Sequence, residues 1–406
     1  MLLDEELDYE RLLEALSRKA EYGVDLDLSN YSIDKVEPCP KIDRVIAKKA
    51  LEVGVDVEME ERAGTYFQID YSALYKALQK QFRGDIEVMS IEEAEEKYEW
   101  VRRLSWRLVS PYTDKYTAFT ALNQRGGYFI HILEGRKLQI PIQSCLFVYS
   151  NNIVQPVHNL IVADPGSEAH IITGCTLHPK VERGLHLGIT EFYVRKGAKL
   201  TYTMVHSWGP SFDVRPRAGI LVEDEASFVN NYVMVGALRS FQSYPRARLI
   251  GKDSRVVMNT VIYASGGSDI DVGGEARLEG RGSRAEISSK IVAADKAGVK
   301  ARGLIEGVGE QSRGHIECRG LMISSGAEVS AIPVLRSRTM SSELTHEAAI
   351  GRIAEEQVSY LMARGIPREE AESLIVRGFL DVGYMGLPPM VEASVRRVVE
   401  LAAKGF

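Results

Sequence analysis

Ala169-His170-Ile171, Ala198-Lys199-Leu200, Ala226-Ser227-Phe228, Ser254-Arg255-Val256, Ala285-Glu286-Ile287 and Gly314-His315-Ile316 share one pattern, a small residue followed by a polar and then an apolar one. Each stands behind a glycine or another turn-forming residue, and the apolar positions recur roughly every 28–31 residues, a period typical of stacked repeats. Half-period echoes occur at Ser268-Asp269-Ile270 and Ala327-Glu328-Val329. One coil of chain cannot bury its own inward face. A second coil stacked on the first covers that face and completes the backbone ladder. Inward apolar residues in register with turn glycines are what a parallel β-helix needs. The alternative, a β-sandwich, calls for hairpin turns every ~8–12 residues and no long period.

Outward from the repeats, the strand texture extends from about Tyr128 to Pro333, rich in glycine and in alternating apolar and polar residues. Residues 4–103 read as mostly helical. Asp4 is placed to cap a helix with a Leu7, Leu12, Leu13, Leu16 stripe, and further helices are expected over Ile42–Val53, Ser72–Phe82 and Ile91–Leu104. From Leu344 the pattern turns helical again. A helix carrying Ile350, Ile353, Val358 and Leu361 ends at Gly365, another starts at Pro367, and a last one runs from Pro388-Pro389 to Leu401. The expected architecture is mainly β: a right-handed parallel β-helix over residues 105–340, flanked by a helical N-terminal domain (1–104) and a helical C-terminal domain (341–406).

Composition narrows the function. Among 406 residues, 45% are hydrophobic and 26% charged, ordinary for a globular chain able to bury a large core without covalent staples. The net charge of −6, with both signs mixed along the length, argues against a nucleic-acid partner. No apolar run approaches the ~20 residues of a membrane span. The start, Met1-Leu2-Leu3-Asp4-Glu5-Glu6, lacks the pattern of a secretion signal, so the expected location is the cytoplasm. Cys39, Cys145, Cys175 and Cys318 lie far apart without a CxxC pair, each by default a small buried hydrophobe rather than half of a disulfide.

Ser341-Ser342-Glu343-Leu344-Thr345-His346-Glu347-Ala348-Ala349-Ile350-Gly351-Arg352-Ile353 and its continuation to Ile366 are similar to the C-terminal signature of the SufB/SufD family, as is Ala371 to Leu380. Ile172-Thr173-Gly174-Cys175-Thr176, the stretch Val194 to Thr203, and Trp208 resemble the SufB core. This resemblance spans roughly residues 110–390 and is closer to SufB than to SufD. It implies a β-helical scaffold on which nascent iron–sulfur clusters are built and handed on. It also implies pairing with a second core subunit, a SufC-type ABC ATPase on the C-terminal helices, and a cysteine desulfurase or other sulfur donor. Ile350, Ile353, Glu356, Tyr360, Leu361 and Arg377 are the expected ATPase contacts. The chain itself has no GxxxxGK[ST] loop, so ATP hydrolysis falls to the partner. The resemblance leaves open whether a flavin supplies electrons.

A transient iron–sulfur cluster needs thiolate sulfur, with imidazole or carboxylate completing the shell. Cys318, in His315-Ile316-Glu317-Cys318-Arg319-Gly320, matches the late β-helix cysteine of SufB proteins; read alone it is a core residue sharing a strand face with Ile316. His346 and Glu347 match the family's His-Glu pair and are otherwise a solvated pair at a helix start, where neighbours point about 100° apart. Cys175 corresponds to the sulfur-accepting cysteine; its alternative is a buried thiol beside Ile171 and Ile172, with its thiolate disfavoured. Cys39 and Cys145 are expected to be structural. The chain departs from SufB in lacking an N-terminal CxxC-like cluster and in placing His206 where glutamine is usual. Such a reduced chain suggests a homodimer in place of a SufB–SufD heterodimer. The competing reading is a SufD-like docking subunit that ligates no cluster. A β-helical polysaccharide lyase is disfavoured, because Asp269, Asp271, Glu275 and Glu279 are scattered and aromatic residues make up only 8%.

Overall fold

The computed structural model describes residues 7–38, 41–57, 62–381, 383, 392, 393 and 396. The 28–31-residue period is the circumference of a β-solenoid of about eight turns. Ser227–Gly236 pairs in parallel with Arg255–Ala264, which pairs with Arg284–Ala293, then Arg313–Met322, then Glu343–Arg352, with every residue in register. A second parallel sheet closes each coil, ending in Asp269–Leu278, Gly298–Gly307 and Glu328–Ser337. Alternate residues of each strand point inward, so Phe228, Val256, Ile287 and Ile316 join one continuous apolar interior.

Turn chemistry sets the coil length. Gly251, Gly280 and Gly309 stack at one corner in successive turns. A Cβ on Gly280 would lie 1.8 Å from the Gly251 carbonyl oxygen, and one on Gly309 would lie 2.4 Å from that of Gly280. The coils approach so closely there that no side chain fits.

The two ends of the solenoid differ. At the N-terminal end, Gly64–Ile69 and Ser72–Leu78 form an antiparallel hairpin on Ile142–Val148, and Ile86–Ser90 runs antiparallel to Tyr128–Ile132. This arrangement caps the parallel stack, as a solenoid end requires. Ser72–Phe82 is therefore a strand and a short 3-10 turn rather than the expected helix. Its apolar residues served two different faces, which mimicked helical spacing. The first helix is Tyr9–Ala15, capped by Asp8; Asp4 lies outside the described residues. Arg44–Glu52 is helical as expected, and the Ile91–Leu104 segment is two helices, Ile91–Lys97 and Glu99–Leu104, meeting at Tyr98.

The largest revision lies at the other end. Glu343–Arg352 is the final strand of the solenoid, not the opening of a helical unit. Helices resume only at Glu355–Met362 and Arg368–Phe379, the latter entered through Pro367, with Gly365 at φ +86° in the turn between them. Val376 and Leu380 pack with Val261, Val292 and Leu321 on the outer face of the first sheet. The Pro388–Leu401 helix falls almost wholly outside the described residues.

Buried polar groups tie the N-terminal segment to the coils. The fully enclosed Glu191 carboxylate accepts from the backbone N–H groups of Trp106, Leu108 and Val109 and pairs with His158 Nε2 at 2.9 Å. Glu191→Ala would strand three backbone donors, one of them buried, and the buried ring. It should cost about 3–5 kcal/mol, read as a lower urea midpoint with an unchanged slope.

Candidate functional site

Cys318 sits in the Arg313–Met322 strand, 3% exposed and in the solenoid interior with Ile316. Its Cα partners are Ser289 in the preceding coil and Ala348 in the following one. His346 is paired with Ile316. Because residues in register on parallel strands project the same way, His346 and Cys318 share the inner face. One strand spacing and two residues of rise separate their Cα atoms, about 8 Å.

Glu347 is paired with Glu317, on the opposite face. There Glu317 is engaged by the Arg319 guanidinium at 2.5 Å, and His315 Nδ1 meets Thr345 Oγ1 at 2.8 Å. The expectation that His346 and Glu347 lie about 100° apart at a helix start is thus corrected. They lie on a strand and point to opposite sides of the sheet, so within one chain only His346 shares a side with Cys318.

What makes this region unusual is its exposure. Among the described residues, Glu343–Arg352 pairs only with Arg313–Met322, and Glu328–Ser337 only with Gly298–Gly307. Both ten-residue strands therefore present a free backbone edge, and nothing among the described residues covers the final coil. His346, Ala348 and Ile350 would be core residues in any earlier coil, yet here they are exposed. Cys318 is one layer below this open end. Burial, with the Glu317 carboxylate next, pushes its thiol up to about 11. A cation arriving at the sulfur would reverse that preference and displace the proton.

The other expected residues fall elsewhere. Cys175 is fully enclosed in the Glu168–Leu177 strand, five coils from the one that holds Cys318, or about 24 Å at ~4.8 Å per strand. Burial drives its thiol far above the ordinary cysteine range. Its side chain lies in the solenoid interior with Ile171. Cys145 is likewise enclosed, against Ile46, Phe67 and Phe147, and Cys39 lies outside the described residues. Of the expected ATPase contacts, Ile350 is corrected to the final strand. Ile353 is half-buried against the apolar cluster that includes Leu321 and Val376. Glu356 and Tyr360 are exposed on the first C-terminal helix, Leu361 is half-buried, and Arg377 is half-buried on the second.

Sequence comparison matches the description "SUF system FeS cluster assembly, SufBD core domain" over residues 147–379, most of the coils and both C-terminal helices just described. The chain belongs to the SufBD family. It is 40% identical over 402 residues to an iron–sulfur cluster assembly SufBD family protein of Methanothermobacter thermautotrophicus, covering 97% of each chain. It is 44% identical over 353 residues to one from Archaeoglobus fulgidus, covering 87% of this chain and 94% of that one. With the iron–sulfur cluster assembly protein SufB of Bacillus subtilis it shares 26% over 358 residues, 86% of this chain and 76% of the other. Iron–sulfur cluster assembly is therefore the process in which this SufBD chain belongs. No helix among the described residues is long and apolar enough to cross a membrane.

Proposed function

We propose that this SufBD-family chain is a cytoplasmic scaffold subunit on which nascent iron–sulfur clusters are built, as a homodimer joined through the open solenoid ends. The observation that carries this reading is the shared inner face of Cys318 and His346, one layer apart at an end that nothing described covers. A thiolate and an imidazole supply half of a cluster-ligand set. A second copy abutting the first across a two-fold axis doubles the set and brings Glu347, which faces away within one chain, within reach from the other side. The Glu343–Arg352 edge contains no proline, so its free N–H and C=O groups are able to continue a ladder into a partner.

The exposed side of the Glu355–Met362 helix, with Glu356, Tyr360 and Met362, together with Leu374 on the next helix, is the surface we assign to a SufC-type ABC ATPase. Sulfur comes from a separate donor.

Two measurements test the reading. Sedimentation velocity should show a dimer that Ala348→Glu/Ile350→Glu converts to monomer, weakening association by about 100-fold. A carboxylate forced into a desolvated contact costs several kcal/mol, whereas on the exposed strand of a free chain it costs little. Anaerobic incubation with ferrous iron and sulfide should then give cluster absorption in the wild type but not in the monomeric variant. A dimer that develops no absorption would instead identify a SufD-like docking subunit.

A further inference from the structure

We propose that Cys175, His186 and His206 form a second, internal site that binds one borderline-soft divalent transition-metal cation of the zinc or ferrous class. One ligand atom from each of the three side chains lies within 4.8 Å of the other two. Cys175 and His206 stand opposite each other in adjacent coils, and His186 reaches them from the Gly184–Val194 strand of the facing sheet. All three are enclosed, at 0%, 0% and 1% exposure. Around a tetrahedral cation with metal–sulfur and metal–nitrogen bonds of ~2.3 and ~2.0–2.1 Å, such atoms lie about 3.4–3.6 Å apart. Closing the triangle therefore takes rotamer adjustment, not a change of coil.

The surrounding hydrogen bonds orient the ligands. The amide nitrogen of Gln155 donates to the carbonyls of Asp70 and Phe147, which turns Gln155 Oε1 toward His186 Nδ1 at 2.9 Å. His186 Nδ1 must then carry the proton, leaving Nε2 with its lone pair. A Cβ at Gly188 would come within 2.8 Å of that nitrogen, and glycine keeps the space clear. His206 Nδ1 meets the Tyr232 hydroxyl, while its Nε2 is buried with no hydrogen-bond partner. A ring nitrogen so enclosed and unpaired is destabilising until a partner reaches it. A second nitrogen fixed by a hydrogen-bond partner is the usual support of a metal-ligating histidine. Met204 Sδ, 3.6 Å from Cys175 Sγ, adds a soft neighbour, and Trp208 stacked on Phe212 walls the site beneath the exposed Pro210-Ser211 turn. On binding, the Cys175 thiol gives its proton to solvent as the sulfur–metal bond forms, with no redox change. A thiolate so held is not free to take a persulfide, so this site competes with the sulfur-accepting role expected for Cys175.

The test uses full-length Cys318→Ala protein, which removes the open-end thiol, titrated anaerobically with Co(II) alone. We expect one equivalent to bind with a thiolate-to-cobalt charge-transfer band, the band to vanish in Cys175→Ser, and affinity to fall at least about tenfold in His206→Gln. No bound cobalt, or an undiminished band in a folded Cys175→Ser variant, overturns the proposal. Should that variant not fold, zinc X-ray absorption on the Cys318→Ala chain decides. One thiolate sulfur and two imidazoles, with water or the Met204 sulfur in the fourth position, uphold the site, and a shell lacking the thiolate or either imidazole rejects it.

Discussion

Cys318→Ala is expected to lower the cluster absorption predicted for the wild-type chain with ferrous iron and sulfide by about tenfold or more, while leaving the far-ultraviolet circular dichroism unchanged. Loss of a ligand is at least as severe as the roughly 10–100-fold effects of merely supporting residues. Alanine is the informative replacement. It deletes one sulfur from a tightly packed interior at a cost of about 1 kcal/mol, whereas serine would also bury a hydroxyl. The coil survives because Cys318 makes its backbone pairs with Ser289 and Ala348 regardless of side chain. His346→Ala should weaken the absorption in the same direction, since the imidazole shares the face. Glu347→Ala should act only where a second copy is present, because the carboxylate projects from the other side of the sheet. Undiminished absorption in Cys318→Ala would remove the thiol from the ligand set and with it the scaffold reading.

Gly280→Val should lower stability by about 3 kcal/mol or more, at the upper end of overpacking effects. The physical cause is the corner column of Gly251, Gly280 and Gly309. A Cβ at Gly280 would overlap the carbonyl oxygen of the coil beneath, and backbone cannot yield as a flexible side chain does. Because adjacent turns are hydrogen-bonded along both sheets, separating one corner strains the register of two coils. Gly267→Ala is the control, for an added Cβ there meets nothing within 4 Å. Thermal unfolding of the pair, followed by circular dichroism, checks the difference. Equal midpoints would mean that the corner relaxes.

Much of the coil region was legible because its period is long and its inward residues recur in register: Phe228, Val256, Ile287 and Ile316 fall where the repeat placed them. Glu343–Arg352 was misread for a physical reason. As the last layer it has no coil above it, so Thr345, His346 and Glu347 occupy positions that earlier coils fill with a mixture of buried and polar side chains, and the strand alternation disappears. Ser72–Leu78 failed similarly, as an exposed edge strand of the cap. At the open end, residue types suggested Cys318, His346 and Glu347, but only the pairing register separates the two that share a face from the one that does not. His186 carried no signal at all. Its approach to Cys175 and His206 depends on the cross-section of the coil, which brings the facing sheet's strand across the interior.

The unequal ends of the solenoid also bear on how large the proposed assembly could grow. A stack closed at one extremity and open at the other would join head to head once, and that union would use up both open edges. Growth into fibres, the hazard of any stack of β-strands, would then stop at two, without any further device to arrest it.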